Sequence, residues 1–127
     1  MIMCAEKSNV CRGGPKLIFA CSGAADVGEI ADRAARELTK NGLGKMFCLA
    51  GIGGRVGGIM KKTGEASDIL AIDGCELDCT KNCLEQAGFT RFKHLRVTNL
   101  GMEKGQTPAT EENIVKVVAK GKEAVAS

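Results

Sequence analysis

The chain has 127 residues, 44% hydrophobic and 26% charged, with a net charge of +3. That length sets a single domain with a core large enough to need no staples. The small, interleaved charge lacks the broad basic footprint of a nucleic-acid binder. With four Phe and neither Trp nor Tyr, base stacking and aromatic ligand cages have little to work with.

Residues 1–15 read as a polar lead-in that carries Cys4 and Cys11 and ends in Gly13-Gly14-Pro15. It lacks the apolar stretch of a secretory signal. No run in the chain approaches the roughly 18–20 apolar residues of a membrane span. A cytoplasmic protein with reduced thiols is expected, and residues 16–127 are expected to form one α/β metal-binding domain.

Leu17-Ile18-Phe19-Ala20-Cys21 is a short continuous apolar run, the mark of a buried parallel strand. After the turn Ser22-Gly23-Ala24-Ala25-Asp26, residues Val27, Ile30, Ala31, Ala34, Ala35 and Leu38 follow helical spacing. Glu29 with Arg33 and Asp32 with Arg36 supply i, i+4 pairs on the opposite face. Asn41-Gly42 is a stop signal.

Met46-Phe47-Cys48-Leu49-Ala50 reads as a second buried strand, and the glycine-rich segment Gly51 to Gly58 leads into a short helix reaching Lys62. Ile69-Leu70-Ala71-Ile72 is the third strand. A third helix is expected over Cys75 to Ala87, closed by Gly88, with Leu77 and Leu84 on its core face. Phe92 to Val97 makes a fourth strand. The final helix presents Ile114, Val117, Val118 and Val125 on one side, with Thr107 or Thr110 as its cap.

Four successive β–α units predict a three-layer α/β/α fold around a four-stranded parallel sheet. The simplest right-handed connectivity is the order 2-1-3-4. In such sheets ligands bind beyond the carboxyl ends of the strands, where the winding reverses. That point lies between the first and third strands. Cys21 closes the first and Cys75 follows the third, so two thiols distant in sequence are predicted to meet there.

Seven cysteines are many for this length, and in a reducing compartment such clusters serve metals or thiol chemistry more often than disulfides. Cys75, Cys79 and Cys83 recur every fourth residue, which on a helix makes one stripe. Zinc–sulfur bonds near 2.3 Å in a tetrahedron call for sulfurs roughly 4 Å apart, within reach of i, i+4 cysteines. Cys83 lies near the core edge and suits packing, whereas Cys75 and Cys79 point away from it. Cys48 is divided between core and ligand, and Cys4, Cys11 and Cys83 are the other candidates for a fourth ligand. No C-x2-C pair occurs, so an iron–sulfur cluster ranks behind zinc.

Other motifs fall short of their signatures. A phosphatase loop would need arginine six residues after Cys21, where Val27 stands. The glycine segment has Val56 where a dinucleotide loop needs its third glycine. His94 is the only histidine and has no H-x-E motif, so a deaminase-like zinc site is not supported and a solvent-facing strand residue is expected. Asp26, Asp73 and Asp78 are explained by capping and turns as well as by catalysis.

Cys21-Ser22-Gly23, the segment Cys48-Leu49-Ala50-Gly51-Ile52-Gly53-Gly54, and Asp73-Gly74-Cys75 with Cys79 together resemble the DGC-domain family, named for its Asp-Gly-Cys motif and described as zinc-binding. The resemblance spans roughly residues 16–120. It implies a small α/β protein with cysteine-bound metal and brings no catalytic residue with it. The resulting expectation is a zinc site made by Cys21, Cys75 and Cys79, with Cys48 fourth, in a structural, carrier or sensor role. The metal ion is the one partner expected; neither nucleic acid nor membrane is. The competing expectation is a thiol enzyme of redox or sulfur-transfer type, with Cys75 as nucleophile and Cys21 as resolving partner.

Overall fold

A computed structural model describes residues 14–126. The proposed ligand role of Cys4 and Cys11 therefore falls outside the described residues. The chain runs β1 (Lys16–Ala20), α1 (Asp26–Lys40), β2 (Lys45–Met46), α2 (Leu49–Gly53), α3 (Gly57–Gly64), β3 (Asp68–Asp73), α4 (Cys79–Gln86), β4 (Lys93–Arg96), a single 3-10 turn (Val97–Leu100) and α5 (Glu111–Ala126). The four strands are all parallel, in the order β2-β1-β3-β4. The expected α/β fold and strand order are those observed.

Alternation along the two central strands builds the two halves of the core. Ile18 and Ala20 of β1 and Leu70 and Ile72 of β3 face α1 and α5, where Ile30, Ala34, Leu38, Ile114 and Val117 are buried. Leu17, Phe19, Ile69 and Ala71 face the other way, onto Ile52 of α2 and Leu84 of α4. The rings of Phe19 and Phe47 meet edge to face, with centroids 6.0 Å apart. Both faces of the sheet are thus covered, as an all-parallel sheet requires. The periodicity of α1 reads through without error: all six apolar positions named from sequence are buried, and the Glu29–Arg33 and Asp32–Arg36 pairs form.

Three local expectations are corrected. The second strand does not run from Met46 to Ala50; it is two residues long and yields to α2 at Leu49. Phe47 still donates its N–H to the Ile18 carbonyl at 2.8 Å, but Cys48 leaves the ladder and caps α2. The glycines decide this turn. A Cβ on Gly51 would lie 2.1 Å from Cδ1 of Ile59, so α2 packs this closely against α3 with glycine there, and a side chain would force Ile59 to turn aside. An apolar run of five could be a strand or a buried helical turn, and close packing chose the second for its latter half.

The helix expected from Cys75 begins only at Cys79. The turn Cys75–Asp78 closes with Asp78 N–H donating to the Cys75 carbonyl at 3.1 Å, and Asp78 itself has φ +52°. A left-handed residue cannot continue a right-handed helix upstream. The start of α4 is set instead by Asp73, whose buried carboxylate accepts from the N–H groups of Thr80 (2.7 Å) and Lys81 (3.1 Å). Leu77, expected in the core, is consequently 61% exposed on the turn. The three-thiol stripe is therefore two thiols on a helix and one on the loop before it.

Candidate functional site

The described cysteines follow the strands: Cys21 comes directly after β1, Cys48 after β2, Cys75 after β3, and Cys79 and Cys83 lie on α4. Cys21 extends β1 by one step, its N–H donating to the Ile72 carbonyl at 3.1 Å. Cys75 follows β3 through Gly74. A Cβ on Gly74 would stand 2.8 Å from the carbonyl carbon and oxygen of Val27, so the glycine of Asp-Gly-Cys lets β3 turn directly over the first turn of α1. The aspartate caps α4, the glycine permits the close approach, and the cysteine is delivered to the sheet end.

Four thiols, Cys21, Cys48, Cys79 and Cys83, line one open cleft of about 1070 Å³ between α1, α2 and α4. Cys48 and Cys79 are exposed, whereas Cys21 and Cys83 are half-buried. Cys75 is not among the lining residues; its sulfur faces Lys104, whose Nζ lies 3.7 Å away. Lys104 sits in a loop held by Asp26, which accepts from the N–H groups of Gly105 (2.9 Å) and Thr107 (3.0 Å). Those bonds hold the Asp26 carboxyl below the usual carboxylate range.

The thiols sense one another. Desolvation against the cleft wall pushes the Cys79 thiol up, reinforced by the charges of Asp73, Cys21 and Cys75 and opposed by Lys104. Burial likewise pushes Cys83 up, against the pull of Arg55. Cys83 donates its S–H to the Leu49 carbonyl at 3.8 Å, while the Cys48 sulfur accepts the Gly51 N–H at 3.4 Å.

Among the described residues, three non-glycine residues adopt left-handed backbone: Ser22, Arg55 and Asp78. Such conformations persist only when surrounding contacts over-determine them. Ser22 donates to Asp32 at 2.7 Å. Arg55 donates to the Ile52 carbonyl at 2.7 Å and to the Gln86 carbonyl at 3.1 Å, tying the end of α2 to the end of α4. Asp78 is gripped by Arg96 through both oxygens, at 2.9 and 2.5 Å. Side-chain anchors thus hold in place the segments that carry Cys21, Cys48, Cys79 and Cys83.

His94 and Arg96 are the residues that sequence reasoning missed. The residue His94 is exposed on edge strand β4, as expected, but its imidazole turns inward, with Nε2 2.9 Å from Asp73 Oδ2 and 3.6 Å from Asp78 Oδ1. The signal was available: His94 and Arg96 alternate on one strand, so they share a face, and β4 places Arg96 beside Asp73 in register. Asp73, Asp78 and His94 each offer a ligand atom within 4.8 Å of the others. Their partners are already protein groups, namely two backbone amides for Asp73 and Arg96 for Asp78, and the trio acts as a brace between α4 and β4.

As a zinc site the thiols fit in kind, since soft sulfur donors at an accessible sheet end are what zinc selects. Their spacing is looser than a tetrahedron. Among the described residues no three sulfurs all lie within 4.8 Å of one another, so closure around an ion requires rotation about χ1.

Comparison with known proteins decides the family. A family model described as the DGC domain matches residues 17–121. The chain belongs to the DGC-domain family. This DGC-domain chain is also 36% identical over 88 residues to the anaerobic and virulence modulator AnvM of Pseudomonas aeruginosa, an alignment covering 69% of this chain and 67% of that protein. No solved structure matches it. Among the described residues, no helix is long and apolar enough to cross a membrane.

Proposed function

We propose that this DGC-domain protein binds zinc through thiolates of Cys21, Cys75 and Cys79, with Cys48 as fourth ligand, and that its role is modulatory, with the loaded and unloaded states read by a partner. The observation that carries this reading is the convergence of thiols from three separate segments on one end of the sheet, at the winding reversal where ligands of such folds bind. The name of the relative AnvM, a modulator, supports regulation over turnover. Bound zinc would deprotonate the thiols and draw the strand ends together, and Asp73 and Arg55 would hold α4 and α2 in position for that closure.

Metal analysis of protein purified under reducing conditions, with a parallel count of alkylatable thiols, tests the reading. One zinc per chain shielding three or four thiols is expected. Metal-free protein that forms a reversible Cys21–Cys75 disulfide would overturn it. That outcome would favour a second reading, a thiol enzyme, for which the ammonium of Lys104 against the Cys75 sulfur is the supporting contact.

A further inference from the structure

Cys21, Cys48 and Cys79 line the cleft, whereas the sulfur of Cys75 faces Lys104, with 3.7 Å between Sγ and Nζ. A surface lysine usually loses such a contact to water, because holding a long side chain still costs rotamer entropy. Here the backbone that carries the lysine is fixed on both sides.

Met102, two residues before Lys104, is buried in the core shared by α1 and α5. Glu103 N–H donates to Thr107 Oγ1 at 2.8 Å, and that hydroxyl donates back to the Glu103 carbonyl at 2.9 Å. Gln106 N–H reaches the same carbonyl at 3.0 Å. On the other side of Lys104, the N–H groups of Gly105 and Thr107 donate to the two oxygens of Asp26, the first residue of α1. Gly101 and Gly105 have φ of +82° and +86°, a backbone that lets so short a loop double back. The loop is thus built to bring Lys104 to the Asp-Gly-Cys turn.

The ammonium has no other task. Among the described residues it forms no ion pair with a carboxylate, and the Cys75 sulfur is its hydrogen-bond partner. Arg96, by contrast, is held by Asp78. Three or four thiolates outweigh the charge of one divalent ion, and the buried carboxylate of Asp73 stands two residues before Cys75. A cation that donates to a ligand sulfur opposes that excess, and hydrogen bonds to charged acceptors are the strong ones. Donors behind metal ligands also fix the direction in which those ligands point.

We infer that Lys104 is a positioning residue of the thiolate site: it orients the Cys75 sulfur and offsets the negative charge that the ligands gather around the ion. The inference rests on the zinc reading above and adds to it a residue outside the ligand set.

The experiment measures zinc affinity of the full chain, by competition with a chromophoric chelator, for wild type, K104M, K104R and K122M. Lys122 is exposed at the other end of the sheet, beside Gly121, which packs on Leu38 in the last turn of α1. K122M therefore removes one positive charge away from the site. K104M is expected to bind one zinc per chain about tenfold more weakly, as on loss of a hydrogen-bond partner behind a metal ligand. K104R and K122M are expected to stay within about twofold of wild type. With cobalt in place of zinc, the sulfur-to-cobalt charge-transfer band is expected to move to lower energy in K104M alone, because a thiolate without its donor gives up charge more readily. Equal zinc affinity of wild type and K104M would overturn the inference and leave the zinc reading standing. A loss in K104R or K122M as large as in K104M would overturn it too, since the charge beside Cys75 would then not be the cause. Wild-type protein that takes up no zinc would overturn the zinc reading and this inference together.

Discussion

The imidazole of His94 lies with Nε2 2.9 Å from Oδ2 of Asp73, so the chain's single histidine rests on the carboxylate that opens the Asp-Gly-Cys turn. The same carboxylate starts α4. Asp73 therefore ties three things together: the end of β3, the first turn of the helix bearing Cys79, and edge strand β4.

Removing that carboxylate leaves two helical N–H groups without an acceptor in a buried place. Asp73→Ala is expected to lower unfolding free energy by about 2–3 kcal/mol, with Asp73→Asn costing roughly half as much because one oxygen remains. Urea unfolding midpoints at unchanged m-value measure both. Equal stability of wild type and Asp73→Ala would mean that α4 starts for another reason.

The glycine of the motif makes a sharper comparison. Gly74→Ala forces a methyl to 2.8 Å from the Val27 carbonyl group, whereas the same change at Gly23 meets open space. The first is expected to cost about 1–3 kcal/mol and the second under roughly 0.5 kcal/mol. Thermal unfolding of the pair checks it, and similar losses at both sites would contradict the close approach.

Acid stability has a named contributor. The bidentate contact from Arg96 holds the Asp78 carboxyl below its ordinary range despite partial burial. Both states are ionised at neutral pH. As pH falls, the unfolded chain takes up the proton first, near pH ~4, and the native state takes it up only at lower pH. The contribution is thus present above that range and lost below it. Asp78→Asn tolerates the left-handed backbone, and its stability is expected to fall less steeply than wild type between about pH 4 and pH 2. Denaturant midpoints across that range decide the matter, and parallel curves would remove Asp78 from the account.

Thiol reactivity should follow the burial pattern. Cys83 is half-buried, raised by that burial and engaged with the Leu49 carbonyl, while Cys48 is exposed. In metal-free protein, iodoacetamide is expected to modify Cys48 about tenfold faster than Cys83. Mass-spectrometric time courses read the order directly, and the reverse order would place Cys83 outside the wall of the cleft.

Strand order, the buried face of α1 and the importance of the sheet's carboxyl end were legible because each rests on repeated patterns. Local geometry at the thiols was not. Helical spacing of Cys75, Cys79 and Cys83 was compatible with a helix from Cys75, but a long-range cap from Asp73 and a left-handed Asp78 delayed its start. Cys48 looked like a strand residue because the contact deciding otherwise, Gly51 against Ile59, lies eight positions along the chain. His94 looked idle because its partner is on another strand. In each case the deciding interaction was tertiary, and a pattern confined to one segment does not contain it.

The brevity of β2 has a second consequence. By leaving the sheet after two residues, the chain opens the cleft, and it also deprives that flank of the sheet of a long row of unpaired amides and carbonyls. A full-length strand there would have offered a template for pairing with other chains. The same early exit that makes room for the thiols therefore guards this flank against aggregation, and lengthening β2 to rigidify the protein would expose the molecule to self-association while closing its cleft.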